Sequence, residues 1–171
     1  MNLRTIMIFP DFDNMEVINR IREKYDPLAE LVKPHITIIF PFKSEISNEE
    51  LSHILDKRLY GIKPFEIELQ GISKCKDRFG NYLFLDIIKG KENIIEIHNN
   101  LYGNEFKTFD LGLDYLPHIT VGNLITSQEL DKAYESIKNI DYKFVSIVNK
   151  ISVEMIGNNK ESIIIIEKQL Q

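Results

Sequence analysis

The chain has 171 residues, of which 43% are hydrophobic and 27% are charged, and it carries a formal net charge of −5. This composition is typical of one globular domain and excludes a disordered or low-complexity chain. The acidic charge opposes binding to a long nucleic acid backbone, although it leaves a small or terminal phosphate group as a ligand. A single cysteine, Cys75, excludes an internal disulfide and a cysteine metal cluster.

No segment has the pattern of a membrane span or a signal sequence. The longest apolar runs, such as Ile163 to Ile166, are far too short to cross a bilayer. The first four residues lead into a strand-like run rather than a signal peptide. We therefore expect a cytoplasmic monomer that does not bind membranes.

The first half of the chain alternates short strand and helix patterns. Hydrophobic periodicity and breaker residues predict these elements in order: a strand at Leu3–Phe9 closed by Pro10, a helix at Asp11–Tyr25 with an Asp cap, a strand after Pro34 that Pro41 ends, a helix opened by a Ser47–Glu50 capping box and closed by Gly61, and a hairpin of strands Phe65–Ile72 and Tyr82–Ile88.

The second half continues in the same style. The same signals predict a helix at Glu92–Tyr102 ended by Gly103, an irregular link from Asn104 to Leu116, a strand after Pro117, a short helix starting near Thr126, one long or two consecutive strands within Tyr142–Ile156, a turn at Gly157–Lys160 and a last strand at Ser162–Glu167.

The order of elements repeats along the chain. The tetrapeptide Pro34-His35-Ile36-Thr37 returns as Pro117-His118-Ile119-Thr120, and His118 follows His35 by 83 positions. A repeat of this length indicates two similar lobes rather than a stacked array. We predict a single α+β domain over residues 1–171, in which two mainly antiparallel sheets with outer helices are related by a pseudo-two-fold axis and face a central cleft.

Each tetrapeptide begins an apolar, β-branched run. Alternate side chains of a strand share a face, so His35 and Thr37 point to one side and Ile36 to the other. The same alternation places His118 and Thr120 together. Each copy therefore offers one imidazole and one hydroxyl on a common surface.

Two facing imidazoles can act as a general acid and a general base near neutral pH, because the usual pKa of histidine is about 6.5. This arrangement suits an in-line displacement at phosphorus. One ring would take a proton from water while the other protonates the departing oxygen. Thr37 and Thr120 would bind the non-bridging phosphate oxygens, and no metal or cofactor is required.

A purely structural role is the alternative, because a histidine in an apolar strand is usually a core residue. The chain has only four histidines and five threonines. Two matching His-x-Thr pairs at equivalent points of a repeat are improbable by chance. The repeat therefore favours a functional site.

With its two His-x-Thr motifs, the chain resembles the two-histidine (2H) phosphoesterase superfamily, in particular bacterial 2′-5′ RNA ligase-like and cyclic phosphodiesterase-like proteins. The likeness covers nearly the whole chain, and the family's His-x-Thr motifs match His35 with Thr37 and His118 with Thr120. The resemblance implies a bilobal α+β fold and metal-independent hydrolysis of 2′,3′-cyclic phosphates or 2′-5′ linkages. It leaves the substrate and the assignment of acid and base open.

Other residues are weaker candidates. Phe42 and Lys43 follow the first motif, Tyr115 precedes the second and Arg78 lies in the predicted hairpin turn, so each is a candidate substrate contact. His53 and His98, both in predicted helices, and the lone thiol are interpreted as structural or surface residues.

Two further functions compete with hydrolysis. One is a non-catalytic module that binds a nucleotide or an RNA end, and the other is 2′-5′ RNA ligation. A binding module does not need two titratable groups at symmetric positions, which favours an enzyme. Ligation is opposed by the acidic charge and by the lack of a nucleotidyl-transfer lysine motif.

Overall fold

The computed structural model describes residues 3–171 as an α+β protein of eight strands and four α-helices. The strands are β1 (Leu3–Ile8), β2 (Ile36–Lys43), β3 (Phe65–Lys76), β4 (Asn81–Lys89), β5 (His118–Leu124), β6 (Phe144–Val148), β7 (Lys150–Ile156) and β8 (Ser162–Gln169). The helices are α1 (Met15–Tyr25), α2 (Asn48–Leu59), α3 (Lys91–Tyr102) and α4 (Ser127–Ile137), with a 3₁₀ turn at Lys107–Phe109. Within this part of the chain, no helix is both long and apolar enough to cross a membrane.

The strands form two four-stranded antiparallel sheets, which confirms the predicted fold class. The first sheet has the order β2-β1-β7-β8 and the second has the order β5-β4-β3-β6. The two strands of the motifs are therefore edge strands at equivalent positions: β2 directly follows His35, and β5 begins with His118. They also contact each other, so the two motifs lie where the sheets meet.

Two of the four helices, α1 and α3, pack against the sheet opposite to the strand that precedes them, whereas α2 and α4 stay with their own sheet. α1 follows β1 of the first sheet but packs against β5 of the second, whereas α3 follows β4 of the second sheet but packs against β2 of the first. α2 contacts β8, and α4 contacts β3, β4 and β5. The buried apolar residues consequently form one continuous cluster that includes both sheets.

The lobes do not coincide with the two halves of the sequence. β3, after the first repeat, pairs with β4 in the second sheet, and β7, after the second repeat, pairs with β1 in the first. The predicted strand region Tyr142–Ile156 is split at Asn149: β6 joins β3 while β7 joins β1. The first repeat thus contributes β3 to the second sheet, and the second repeat contributes β7 and β8 to the first, an arrangement that strand patterns alone do not reveal.

Two local predictions were wrong. Pro41 does not end the strand, because β2 continues to Lys43 opposite Leu3. β2 is an edge strand, where a residue without an N–H is tolerated. The first helix begins at Met15 after Asn14, whose side chain makes no capping bond, so an Asp does not cap it.

The predicted starts of α2 and α4 and the end of α2 were confirmed, although the capping box predicted at Ser47–Glu50 has only one of its two hydrogen bonds among the described residues. Ser47 accepts the N–H of Glu50 at the start of α2, and Thr126 and Glu129 form a reciprocal capping box at the start of α4. Gly61 follows the end of α2 with a φ of +78°, a left-handed conformation that favours glycine. These caps fix the ends of the helices that cover the sheets.

Candidate active site

The backbone just before His35 fixes the orientation of its ring. His35 lies immediately before β2, and its Nδ1 is 2.8 Å from the carbonyl oxygen of Lys33. A carbonyl oxygen can only accept, so Nδ1 carries the proton and donates it. Nε2 is then the unprotonated nitrogen of the neutral ring, and it makes no hydrogen bond to another group of residues 3–171.

His118 is held in the same way. It is the first residue of β5, and its Nδ1 donates to the carbonyl oxygen of Leu116 at 2.6 Å. In both motifs the acceptor is two residues before the histidine. The repeat therefore sets the same tautomer twice and leaves Nε2 of each ring available for chemistry.

The two threonines follow their histidines by two positions. Thr37 lies in β2 opposite Met7, and Thr120 lies in β5 opposite Phe84. Both side chains are half-buried, and neither hydroxyl is hydrogen-bonded to another described group of the protein. Each hydroxyl can therefore donate to a bound oxygen.

The two motifs belong to one site. β2 and β5 are in contact, and the Tyr115 hydroxyl, three residues before His118, donates to the carbonyl oxygen of Thr37 at 2.7 Å. Burial is the main cause of the lowered pKa of His118, and the positive charge of a protonated His35 lowers this pKa further. The imidazoles are therefore close enough to influence each other electrostatically.

Burial lowers the pKa of both imidazoles. Desolvation lowers the pKa of His118 to about 4, outweighing the raising effects of the Leu116 carbonyl and the Asp77 carboxylate. Desolvation is also the main cause of the lowered pKa of His35. Both residues are half-buried. Near pH 7 and without a bound anion both rings are neutral, which differs from the opposite protonation states expected from unperturbed pKa values.

Strand β4 supplies residues that the sequence analysis did not select. The Phe84 ring stacks on His118 with centroids 3.4 Å apart and planes inclined by 18°. Asp86 lies directly opposite His118 across β4 and β5, and it accepts a hydrogen bond from Ser73 at 2.6 Å. Burial raises the pKa of Asp86. The alternation of Tyr82, Phe84 and Asp86 within the predicted strand is the sequence signal that could have identified them.

Two of the predicted substrate contacts lie elsewhere. Phe42 is only 2% exposed, and its ring packs edge-on against Phe106 with centroids 5.1 Å apart, so it is a core residue. Lys43 is six residues beyond Thr37, which corresponds to about 20 Å along an extended strand. Its position is therefore too distant for contact with a phosphate bound at Thr37.

The other two predicted contacts, Tyr115 and Arg78, already have partners within the protein. The Tyr115 ring and hydroxyl are already engaged by the protein, which gives it a positioning role. Arg78 lies at the tip of the β3–β4 hairpin, where its guanidinium donates to the Leu111 carbonyl at 2.7 Å and lies over the Phe79 ring. Asn81, which follows this tip, pairs with Leu124 at the end of β5, whereas His118 is the first residue of β5, so no described contact places Arg78 at the motifs.

The remaining predicted structural residues lie outside the paired motifs. His53 is exposed on α2, and His98 on α3 has its Nδ1 2.8 Å from the carbonyl oxygen of Ile38. Burial raises the pKa of the Cys75 thiol, which makes it a poorer nucleophile. Among residues 3–171, no group of three or more His, Cys, Asp or Glu side chains is arranged to hold a metal ion.

Known proteins are similar to this chain in sequence. Residues 9–154 match the 2′-5′ RNA ligase superfamily. A Halalkalibacterium halodurans protein named "Putative phosphoesterase" is 27% identical over 155 residues, which cover 86% of this chain and 85% of that protein.

Solved structures have the same fold at low identity. The Thermus thermophilus protein TT0787 matches with a TM-score of 0.68 and 12% identity, covering 98% of this chain and 97% of that one. E. coli LigT in complex with 3′-AMP matches with a TM-score of 0.61 and 16% identity, covering 99% and 98%.

Proposed function

The chain belongs to the 2′-5′ RNA ligase superfamily, the two-histidine phosphoesterases, and from its paired imidazoles we propose that it hydrolyses the 2′,3′-cyclic phosphate of a small nucleotide or an RNA end without a metal ion. One observation carries this proposal. Each of two imidazoles donates its Nδ1 proton to a carbonyl two residues earlier, so the lone pair of both rings is on Nε2, and each histidine is followed two positions later by a threonine with an unpaired hydroxyl. A structural histidine pair would not require the same tautomer and the same unpaired hydroxyl in both copies.

The chemistry follows from the tautomer. A neutral ring protonated on Nδ1 has a lone pair on Nε2, which suits a general base. The other ring must carry protons on both nitrogens to act as a general acid. The proposed reaction therefore uses one imidazole and one imidazolium, and either histidine can fill either role.

In the reaction, a water oxygen forms a bond to phosphorus while the bond from phosphorus to one ribose oxygen breaks. The basic imidazole takes the proton of the water, and the imidazolium gives its Nε2 proton to the departing ribose oxygen. Thr37 and Thr120 would donate to the non-bridging oxygens as negative charge grows on them. The product is a nucleotide monophosphate with one free ribose hydroxyl.

Because the pKa values of both imidazoles are lowered, the proposed mechanism needs the bound substrate to promote protonation of one ring. Without a ligand both rings are neutral near pH 7, so the imidazolium form is scarce. The negative charge of a cyclic phosphate favours a protonated neighbour and raises its pKa. Binding of the substrate would therefore charge the acid at the position where it is needed.

The proposed substrate class fits the charge of the chain and one structural relative. A net charge of −5 opposes binding of a long polyanion but does not prevent local contacts to one phosphate. The E. coli relative was solved with 3′-AMP, a nucleotide that carries a phosphate on its ribose. We extend that ligand class to this chain.

A chelator-treated assay tests the proposal. The purified protein with EDTA should open 2′,3′-cyclic AMP and leave 3′,5′-cyclic AMP intact, with 2′-5′ oligoadenylates and ADP-ribose cyclic phosphate as further substrates. His35→Asn and His118→Asn should each lower turnover by roughly a hundredfold or more, the usual effect of removing a general acid or base. His53→Asn, on the exposed face of α2, is the matched control and should retain full activity.

Each failure has its own meaning. Binding of 3′-AMP without turnover of any substrate would indicate the non-catalytic binding module. Turnover that EDTA abolishes would reject the metal-independent mechanism. Full activity in both histidine variants would reject the site.

A further inference from the structure

An ion pair with almost no exposure lies at the end of α1. Arg22 Nε is 2.8 Å from Asp26 Oδ2, and the two side chains are only 2% and 4% exposed. Asp26 follows the last residue of the helix, and its N–H also donates to the Arg22 carbonyl at 2.7 Å. A buried pair of this kind persists only when its other polar atoms are also bonded.

The rest of the pair binds the backbone of the following loop, residues 27–33. Arg22 Nη1 donates to the Val32 carbonyl at 2.9 Å, and Nη2 donates to the Leu28 carbonyl at 3.3 Å. Asp26 Oδ1 accepts the N–H of Leu28 at 3.0 Å. The planar guanidinium thus joins the end of the helix to both ends of the loop.

This loop ends on the carbonyl that orients the first imidazole. Val32 directly precedes Lys33, whose carbonyl accepts the Nδ1 proton of His35. The charges of Arg22 and Asp26 also act on the pKa of His35, in opposite directions, which shows that both lie within electrostatic reach of the ring. Neither residue makes a bond to the ring itself.

The same helix contacts the other half of the site. α1 packs against β5, which begins with His118. A rigid attachment of the loop to α1 therefore fixes His35 relative to the strand of His118. General acid–base catalysis at one phosphate depends on the distance between the two imidazoles.

We propose that Arg22 and Asp26 are positioning residues that hold the Lys33 carbonyl, and through it the tautomer and place of His35, in register with His118. The kinetic consequence rests on the proposed phosphodiesterase function. The structural consequence, the orientation of one imidazole, does not depend on any substrate.

The test uses a double variant, Arg22→Met with Asp26→Leu. It removes both charges of the pair, so no unpaired charge is left buried. The Arg58→Met with Glu105→Leu variant is the matched control, since this pair has a similarly short contact of 2.7 Å but joins α2 to the segment after α3. ¹⁵N NMR reports the tautomers of His35 and His118, and kinetics on 2′,3′-cyclic AMP gives kcat and KM.

We expect the Arg22/Asp26 double variant to lose the single Nδ1-protonated form of His35 while His118 keeps its own. We expect kcat to fall by roughly tenfold to a hundredfold, the size of effect that misplacement of a catalytic group produces, with KM within about twofold. The Arg58/Glu105 control should match the wild type in both measurements. Arg22→Lys, which retains the charge but not the fork of donors, should give an intermediate kcat.

A folded double variant with wild-type kcat and an unchanged His35 tautomer would overturn the proposal. If the double variant does not fold, Arg22→Lys decides by the same two measurements, and wild-type values in it would also overturn the proposal. If the wild type hydrolyses no cyclic phosphate but the tautomer of His35 alone is lost in the variant, the positioning role stands and the proposed function fails.

Discussion

The imidazole of His98 and the ring of Tyr115 stack face to face, with centroids 3.5 Å apart and planes 2° from parallel. The Tyr115 hydroxyl donates to the Thr37 carbonyl at 2.7 Å, and His98 Nδ1 donates to the Ile38 carbonyl at 2.8 Å. The two side chains therefore bind consecutive carbonyls of β2. They hold the backbone that carries the first threonine.

These side chains supply hydrogen-bond partners to the free edge of β2. β2 has no strand on its outer side, so its outer N–H and C=O groups need other partners. Tyr102 adds a third contact, because its hydroxyl accepts the N–H of Phe40 at 3.2 Å. The side chains of α3 and the following link thus replace a neighbouring strand.

Tyr115→Phe should weaken this edge. The substitution removes one oxygen and leaves the Thr37 carbonyl without its partner, which should cost about 1 kcal/mol of unfolding free energy. We expect kcat to fall several-fold because Thr37 loses its support. Urea unfolding and steady-state kinetics measure the two effects. Tyr60→Phe, at a side chain that is 90% exposed, should change neither; equal values for both variants would contradict the positioning role.

The pH dependence of kcat/KM should be shifted to the acidic side. This ratio reports the pKa values of the free enzyme, and burial lowers those of both imidazoles below about 6.5. We therefore expect a bell-shaped profile with its maximum below about pH 6. A maximum above pH 7 would show that the imidazoles are not desolvated in this way.

Acid should destabilise the protein through the ring of His118. An unfolded His118 has a pKa of about 6.5 and binds a proton that the folded ring accepts only near pH 4, so stability falls as the pH drops through this window. The difference between these two pKa values corresponds to about 3 kcal/mol of unfolding free energy. His118→Gln should therefore flatten the decrease in unfolding free energy between pH 7 and pH 4. His53→Gln, at an exposed position, should keep the wild-type slope.

The sequence was sufficient to predict that the two motifs lie close together, because the tetrapeptide is repeated at matching points of the chain. The strands β2 and β5 are in contact. Alternation in a strand then placed His35 with Thr37 and His118 with Thr120. Helix starts at Ser47 and Thr126 followed from local capping chemistry. These features depend on residues close together in the sequence.

The features that could not be predicted depend on long-range pairing. Nothing near Asn149 indicates that β6 and β7 enter different sheets. Pro41 signals the end of a strand unless the strand is known to be an edge. Arg22 and Asp26 have the spacing of an ordinary surface pair, and only tertiary packing buries them beside His35. Tertiary contacts likewise place His98 against β2.

The threonine hydroxyls should act on the transition state more than on binding. Thr37→Val and Thr120→Val keep the side-chain shape and remove the donor, so kcat should fall by roughly tenfold to a hundredfold with a smaller change in KM. Thr108→Val, in the 3₁₀ turn, is the control. If the two motif variants raised KM alone, the hydroxyls would contribute to binding of the substrate and not to catalysis.

Glu154 should destabilise the folded protein at neutral pH. It is 5% exposed on β7, directly opposite Thr5 on β1, and its Oε2 and the Thr5 hydroxyl have no hydrogen-bond partner within residues 3–171. Burial raises the pKa of Glu154, against a smaller lowering effect of Ser162. When the pKa of a carboxyl is higher in the folded state than in the unfolded state, the unfolding free energy of the protein falls as the pH rises through the folded pKa. The buried group must then carry a charge.

Glu154→Gln has nearly the same shape and stays neutral. We expect it to raise the unfolding free energy at pH 7 by about 1 kcal/mol, and to have little effect at pH 4, where the wild-type carboxyl is protonated in the folded state. Urea unfolding at the two pH values measures the difference. Glu167→Gln on the neighbouring β8 removes a surface pair with Lys150 and should change stability little at either pH. A loss of stability at pH 7 in Glu154→Gln would show instead that the buried carboxylate has partners that compensate its charge.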